Sequence, residues 1–157
     1  PGRHQARIVV RDKNGGAVGS LLHAFEVPDL SGLRVSTIAL AVGPREPGAP
    51  PEPTARRSLP PNGVLHCRFE VYGAASGADT GKPSVTAGFS IRRSDGKFLA
   101  VIPETPLEPG AGGSLARSLG VPLDGAPPGR YEAIAVVTDL AGGRAAEARE
   151  PFVIGTE

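Results

Sequence analysis

Residues 1–27 and 128–154 are two copies of one segment, aligned without a gap at a constant offset of 127 positions. Pro1-Gly2-Arg3, Ala6, Val9-Val10, Asp12, Gly15-Gly16 and Phe25 recur as Pro128-Gly129-Arg130, Ala133, Val136-Val137, Asp139, Gly142-Gly143 and Phe152. Ten of the 27 positions are therefore identical, where composition alone would give roughly two. Each copy reads as a turn, a β-rich run, a second turn at Asp…Gly-Gly, and a returning strand. Repetition at a fixed period is the mark of an array of like units. The expectation is that residues 1–29 are the terminal hairpin of a preceding sandwich module, or a docking or swapped hairpin. Residues 30–157 are then one complete module, with Pro28-Asp29-Leu30-Ser31-Gly32 as the junction.

Composition narrows the class. Gly and Pro are abundant, 22 and 17 of 157 residues. They have no short period and are interleaved with Val, Ile, Leu and Phe runs, which points to many turns and short strands rather than collagen, disorder or long helices. The 17 basic and 16 acidic residues are scattered. Arg56-Arg57 and Arg92-Arg93 are pairs only, so no surface tracking a nucleic-acid backbone is expected. No apolar run is long enough to insert in a membrane as a helix. Cys67 has no internal disulfide partner, which fixes no compartment.

Seven strands are expected after the junction. Leu33 to Val42 is the first, and its apolar phase slips near Ser36-Thr37, as a bulge or a strand changing sheets would require. Residues 43–62 hold seven prolines in twenty positions and read as a long, partly polyproline loop. Val64 to Tyr72 alternates, with Leu65, Cys67, Phe69 and Val71 on one face and His66, Arg68, Glu70 and Tyr72 on the other. Val85, Ala87, Phe89 and Ile91 alternate in the same way. Ser94-Asp95-Gly96-Lys97 is a hairpin turn suited to the positive φ angles of tight turns, and Phe98 to Ile102 pairs back. Loops cover 73–83 and 103–113. Ser114 to Leu123 is a weaker strand whose inward face is spoiled by Arg117. Tyr131 to Asp139 and Arg144 to Ile154 close the module. The fold class is an immunoglobulin-like antiparallel β-sandwich of about seven strands. Tyr131 stands where a corner tyrosine bonds back to upstream backbone. Pro128, Gly129, Tyr131, Asp139, Gly142 and Gly143 are its structural motif.

Chemistry-bearing patterns are sparse. His4, His23 and His66 lack metal spacing. His66 and Cys67 are adjacent on a strand and so face opposite ways, which prevents a nucleophile–base pair. Gly77-Ala78-Asp79-Thr80-Gly81-Lys82 has the wrong spacing for a phosphate loop and is followed by Pro83. Asp29-Leu30-Ser31-Gly32-Leu33 lacks the second serine of a D-x-S-x-S metal-dependent adhesion site. Acidic residues such as Asp79, Asp95, Glu104 and Asp124 do not cluster, so a calcium site would have to assemble in space. No catalytic residue, cofactor or metal is expected. The face of His66, Arg68, Glu70 and Tyr72 is the candidate interaction surface, with Tyr72 the one exposed ring.

Val27-Pro28-Asp29-Leu30, then Leu33-Arg34-Val35-Ser36-Thr37-Ile38-Ala39-Leu40, with Pro-Gly-Arg-Tyr and Val-Thr-Asp near the end, resemble the C-terminal β-sandwich region of the VWFA-related proteins typical of Acidobacteria. The resemblance implies an extracellular, periplasmic or cell-surface setting, with the export signal upstream. It transfers no ligand-binding role, because the A-type domain has no counterpart here. The expected function is a non-catalytic module of an exported multidomain protein, a spacer or an interaction and adhesion domain. Its partners are other domains of that protein or neighbouring copies. The alternatives are a self-assembling structural subunit that exchanges strands through the N-terminal hairpin and, more weakly, a carbohydrate-binding module using the loops.

Overall fold

The computed structural model describes residues 1–43 and 51–155. It is all-β, 61% strand, with antiparallel sheets packed together as a β-sandwich. The chain forms two compact units, Pro1–Gly32 and Leu33–Glu157.

The first unit is a two-stranded ribbon. Strand β1 (Gly2–Arg11) pairs antiparallel with β2 (Val18–Val27), from Gly2↔Val27 to Arg11↔Val18. The Asp12 carboxylate accepts the backbone N–H groups of Asn14 and Gly15 at 2.9 and 3.0 Å. This side chain thus holds the turn from within.

The second unit contains β3 (Arg34–Val35), β4 (Ala39–Gly43), β5 (Glu52–Pro53), β6 (Ser58–Leu59), β7 (Val64–Tyr72), β8 (Val85–Arg93), β9 (Phe98–Pro106), β10 (Leu115–Pro122), β11 (Gly129–Asp139) and β12 (Arg144–Ile154). Seven of these have five or more residues; β3, β5 and β6 have two each. One sheet runs β10-β7-β4-β5, with β3 also on β7, and the other runs β6-β12-β11-β8-β9. Alternation along each strand turns one set of side chains inward. Leu65, Cys67, Phe69 and Val71 of β7 are buried, as are Val85, Ala87, Phe89 and Ile91 of β8 and Tyr131, Ala133, Ala135 and Val137 of β11. Phe69 and Phe89 stack between the sheets with ring centroids 6.5 Å apart.

Several local expectations are resolved or corrected. The slip at Ser36-Thr37 is a bulge and not a change of sheet. Val35 faces Val71 and Ala39 faces Arg68, so three residues oppose two along the same strand. Ser36 fills the gap: its N–H donates to Glu70 O at 2.8 Å and its Oγ accepts the Glu70 N–H at 3.0 Å. The proline-rich stretch contributes two short strands, one to each sheet; its residues 44–50 lie outside the described residues. Pro53 is tolerated because β5 is an edge strand. Strand β6 pairs parallel with β12, at Val153↔Ser58 and Ile154↔Leu59. The strand beginning at Phe98 continues to Pro106, into residues expected to be loop. It lies at the sheet edge, so the missing N–H of Pro103 breaks no inner ladder. The turn after β8 is a three-residue loop. Arg93 N–H donates to Lys97 O, Gly96 N–H donates to Arg93 O, and Gly96 alone takes positive φ, +88°. That is a type I turn followed by a glycine bulge.

Arg117 turns inward, as its place in the alternation requires, but it does not spoil the face. Its guanidinium crosses to the other sheet and donates to Ala87 O, to Thr105 O at 3.2 Å and to Pro106 O at 3.0 Å. The β8–β9 ladder is bulged between Ala87 and Phe89, so a guanidinium meets carbonyls that the ladder serves poorly. A matching closure joins β12 to the segment before β6. Glu150, turned inward and 8% exposed, accepts Arg57 Nε at 2.5 Å, and Arg57 Nη1 also reaches Thr54 O at 3.1 Å.

Replacing Arg117 by Met keeps the stem and removes the donors. Charge-assisted hydrogen bonds of this kind are worth about 1.5–3 kcal/mol, so Arg117→Met is expected to cost about 2 kcal/mol in urea unfolding. Ser118→Ala, on the outward face, should stay within about 0.5 kcal/mol of the parent. Equal stability of the Arg117→Met chain and the parent would show that the inter-sheet bonds contribute nothing.

Candidate functional site

The outward face of β7 carries its polar side chains in a row, because residues two apart on a strand share a face. Arg68 Nη2 donates to Glu70 Oε1 at 2.9 Å and the Tyr72 hydroxyl donates to Glu70 Oε2 at 2.5 Å. Arg68 Nη1 reaches Ser118 Oγ on β10 at 3.3 Å. His66 is half-buried, with Ala41 opposite it on β4 and Gly120 opposite it on β10. Three of the four expected interaction residues thus form one hydrogen-bonded chain, and His66 stands at its end without joining it through any of these bonds. The Tyr72 hydroxyl, then the Arg68 guanidinium, hold the Glu70 carboxyl below its ordinary range, and Glu70 in turn raises the Tyr72 phenol.

Beside this row lies a groove of about 310 Å³, bordered by Glu70, Tyr72, Gly73, Pro83, Gly113 and Ser114. It brings the end of β7 next to loops far apart in sequence. The row leaves Glu70 with both carboxylate oxygens engaged, so the groove offers a fixed aromatic ring and backbone edges more than a free charge. The other sheet has its own outward groove of about 380 Å³, at Arg92, Arg93, Arg130, Tyr131, Glu132 and Pro151. There Glu132 Oε2 accepts Arg149 Nη1 at 2.7 Å and Arg92 Nη2 at 3.4 Å. These arginine pairings escaped sequence reading, since only strand register makes Arg92, Glu132 and Arg149 neighbours.

The repeated motif is built around two buried side chains. Tyr131 is 4% exposed, and its hydroxyl donates to Pro127 O at 2.7 Å. Arg93 Nη2 donates to the next carbonyl, Pro128 O, at 3.1 Å, and Gly129 follows with φ +147°. Asp139 is 1% exposed. Its Oδ1 accepts the N–H groups of Ala141 and Gly142 at 3.1 and 2.9 Å, and its Oδ2 accepts the Ala75 N–H at 2.9 Å. The residue that fixes the β11–β12 turn therefore also ties down the loop after β7. A Cβ on Gly142 would collide with Asp139 Oδ2, and Gly143 has φ +63°, so both glycines are required. Burial by itself would raise the Asp139 carboxyl. The three backbone donors and the nearby Arg144 charge outweigh it, and the group sits below its ordinary value.

Among the described residues no group of three metal-ligating side chains converges. Asp29 is used within its own turn, accepting both the N–H and the hydroxyl of Ser31 at 2.9 Å. Thr80 and Lys82 bond within their own loop. Cys67 is buried, and burial pushes its thiol up to about 12, which leaves it inert at neutral pH. No protein-family model matches this sequence, and neither does any curated protein.

Asp139 stabilises the folded chain through its charged form. Its contribution is complete above the unfolded value of 3.8 and is lost as pH falls through the lower folded value. The thermal midpoint should therefore drop on acidification below about pH 4. Asp139→Asn should cost about 2 kcal/mol at pH 7 and flatten that acid limb; an unchanged limb would remove Asp139 as its source. With no Trp and two tyrosines in the chain, tyrosinate absorbance reads Tyr72 and Tyr131 alone. Burial raises the Tyr131 phenol, so both should titrate above the ordinary 10.0. Glu70→Gln should bring one of them back toward that value and leave the other in place.

Proposed function

We propose that this chain is a non-catalytic β-sandwich module of an exported or cell-surface multidomain protein, serving as a spacer or a protein-interaction domain. The observation that carries the reading is the repeat at an offset of 127, which is a repeat of structure as well as of sequence. Gly2↔Val27 and Gly129↔Ile154 are equivalent pairs, and so is every pair between them out to Arg11↔Val18 and Thr138↔Ala145. Two ribbons with one register in one chain belong to a serial arrangement of like units. The sharing of the polar groups supports the same reading: Asp139 and Arg117 are engaged with backbone groups and Glu150 with the Arg57 guanidinium, which suits a scaffold. The extracytoplasmic setting and the kinship with VWFA-related sandwiches rest on the short motifs from Val27 to Leu40 and on Pro-Gly-Arg-Tyr.

Three measurements test the reading. The purified chain is expected to turn over none of a panel of ester, peptide, phosphate and glycoside substrates, and to leave a glycan array unlabelled. Turnover would overturn it. Glycan binding lost in Tyr72→Ala would replace the spacer by a carbohydrate-binding module seated in the β7 groove. Deleting residues 1–32 should leave one cooperative thermal transition within a few degrees of the parent, because the second unit contains its own core. Loss of that transition would show that the ribbon is integral to the sandwich.

A further inference from the structure

The ribbon β1–β2 and the hairpin β11–β12 share one register and differ sharply in what covers them. In the second unit, Tyr131, Ala133, Ala135, Val137, Phe152 and Ile154 are all buried, at 4% exposure or less. Their counterparts are His4, Ala6, Ile8, Val10, Phe25 and Val27. In the ribbon, Ile8, Val10, Leu21 and Phe25 are 50%, 66%, 60% and 42% exposed. Even the ring pair persists, since His4 stacks on Phe25 at 5.9 Å as Tyr131 stacks on Phe152 at 5.7 Å. The edges differ in the same way. Strand β11 has β12 on one side and β8 on the other, whereas β1 pairs with β2 alone. One face of the ribbon and one edge of β1 thus carry the pattern of buried, paired structure with neither burial nor a partner.

We infer that β1–β2 is the closing hairpin of a β-sandwich of the same build that lacks a last hairpin of its own. A strand of the β8 kind lies along the free edge of β1, and an opposed sheet covers Ala6, Ile8, Val10, Leu21 and Phe25. This rests on the reading of the chain as a structural module and names that module's partner surface. The chain's own second unit is excluded as the seat, because β11–β12 already fills it. A second copy is excluded for the same reason and for a steric one. The pair Ala135↔Ala148 at the centre of β11–β12 corresponds to Ile8↔Leu21 in the ribbon. Ala135 is 0% exposed and Ala148 packs partly buried against the core, and a close-packed core resists the larger Ile8 and Leu21 side chains at these positions. The partner therefore differs from this module by extra space under the middle of the hairpin.

The test joins residues 33–127 directly ahead of the full chain carrying Ile8→Ala and Leu21→Ala. Residue 127 then precedes Pro1 as it precedes Pro128 in the sequence, and the central pair matches the seat. Hydrogen exchange is expected to show the β1 amides slowed about a hundredfold or more relative to the same variant without the added segment. Exchange as fast as in that shorter chain overturns the inference. In parallel, the unaltered chain is expected to sediment as a monomer. A stable dimer in which Ile8 and Phe25 become protected would overturn it in favour of a second copy as partner. Turnover or glycan binding bears on the module reading and leaves these amide rates unaffected, so the two can fail separately.

Discussion

A buried apolar layer between two sheets, with Phe69 against Phe89 at its middle, is the constraint on which the second unit depends. Burial of this layer is the dominant favourable term available to an all-β chain. The layer must also end somewhere. A sandwich has two open sides, where an edge strand leaves one row of backbone groups without ladder partners. This chain closes one side with Arg117, reaching from β10 to carbonyls of β8 and β9. It closes the other with Glu150 of β12 and Arg57 before β6. Inward-pointing charges at sheet edges also discourage pairing with other chains. Charged side chains turned inward, Arg117 and Glu150, thus mark its boundary.

The turns follow a second economy of means. A single aspartate closes each copy of the repeated hairpin, and the two do it in the same way, through backbone N–H groups two and three residues on. In the ribbon Asp12 is exposed; in the sandwich Asp139 is buried and takes a third donor from Ala75. The local chemistry is common to both and comes from the Asp…Gly-Gly pattern. The third bond exists only because packing brings the loop after β7 to that turn. It converts a local device into a link between the two sheets.

The same contrast separates the outward faces from the core. The β7 row binds itself together through Glu70, and the β8–β11–β12 row does so through Glu132. Pairs this exposed contribute little to stability. They do set the direction in which each side chain points, and so the character of the groove next to each row. Tyr72 is held by its hydroxyl, with its ring beside the first groove.

By itself the sequence determined the strands whose inward and outward residues alternate. Leu65 to Val71, Val85 to Ile91 and the repeated hairpin were all legible, because period-two patterning and Asp-Gly or Gly-Gly turns are local signals. It also showed the slip at Ser36-Thr37, though not its nature; choosing a bulge over a change of sheet needed the partner strand β7. The candidate face His66, Arg68, Glu70 and Tyr72 was legible as a row, while the bond to Ser118 and the groove beside Tyr72 were not. Tertiary structure alone decided the parallel pairing of β6 with β12, the continuation of β9 through Pro103, and the roles of Arg117 and Glu150. Each depends on which strand lies at an edge and what faces it from the other sheet. Strand order and sheet apposition bring together residues tens of positions apart, and no pattern within a single strand encodes them.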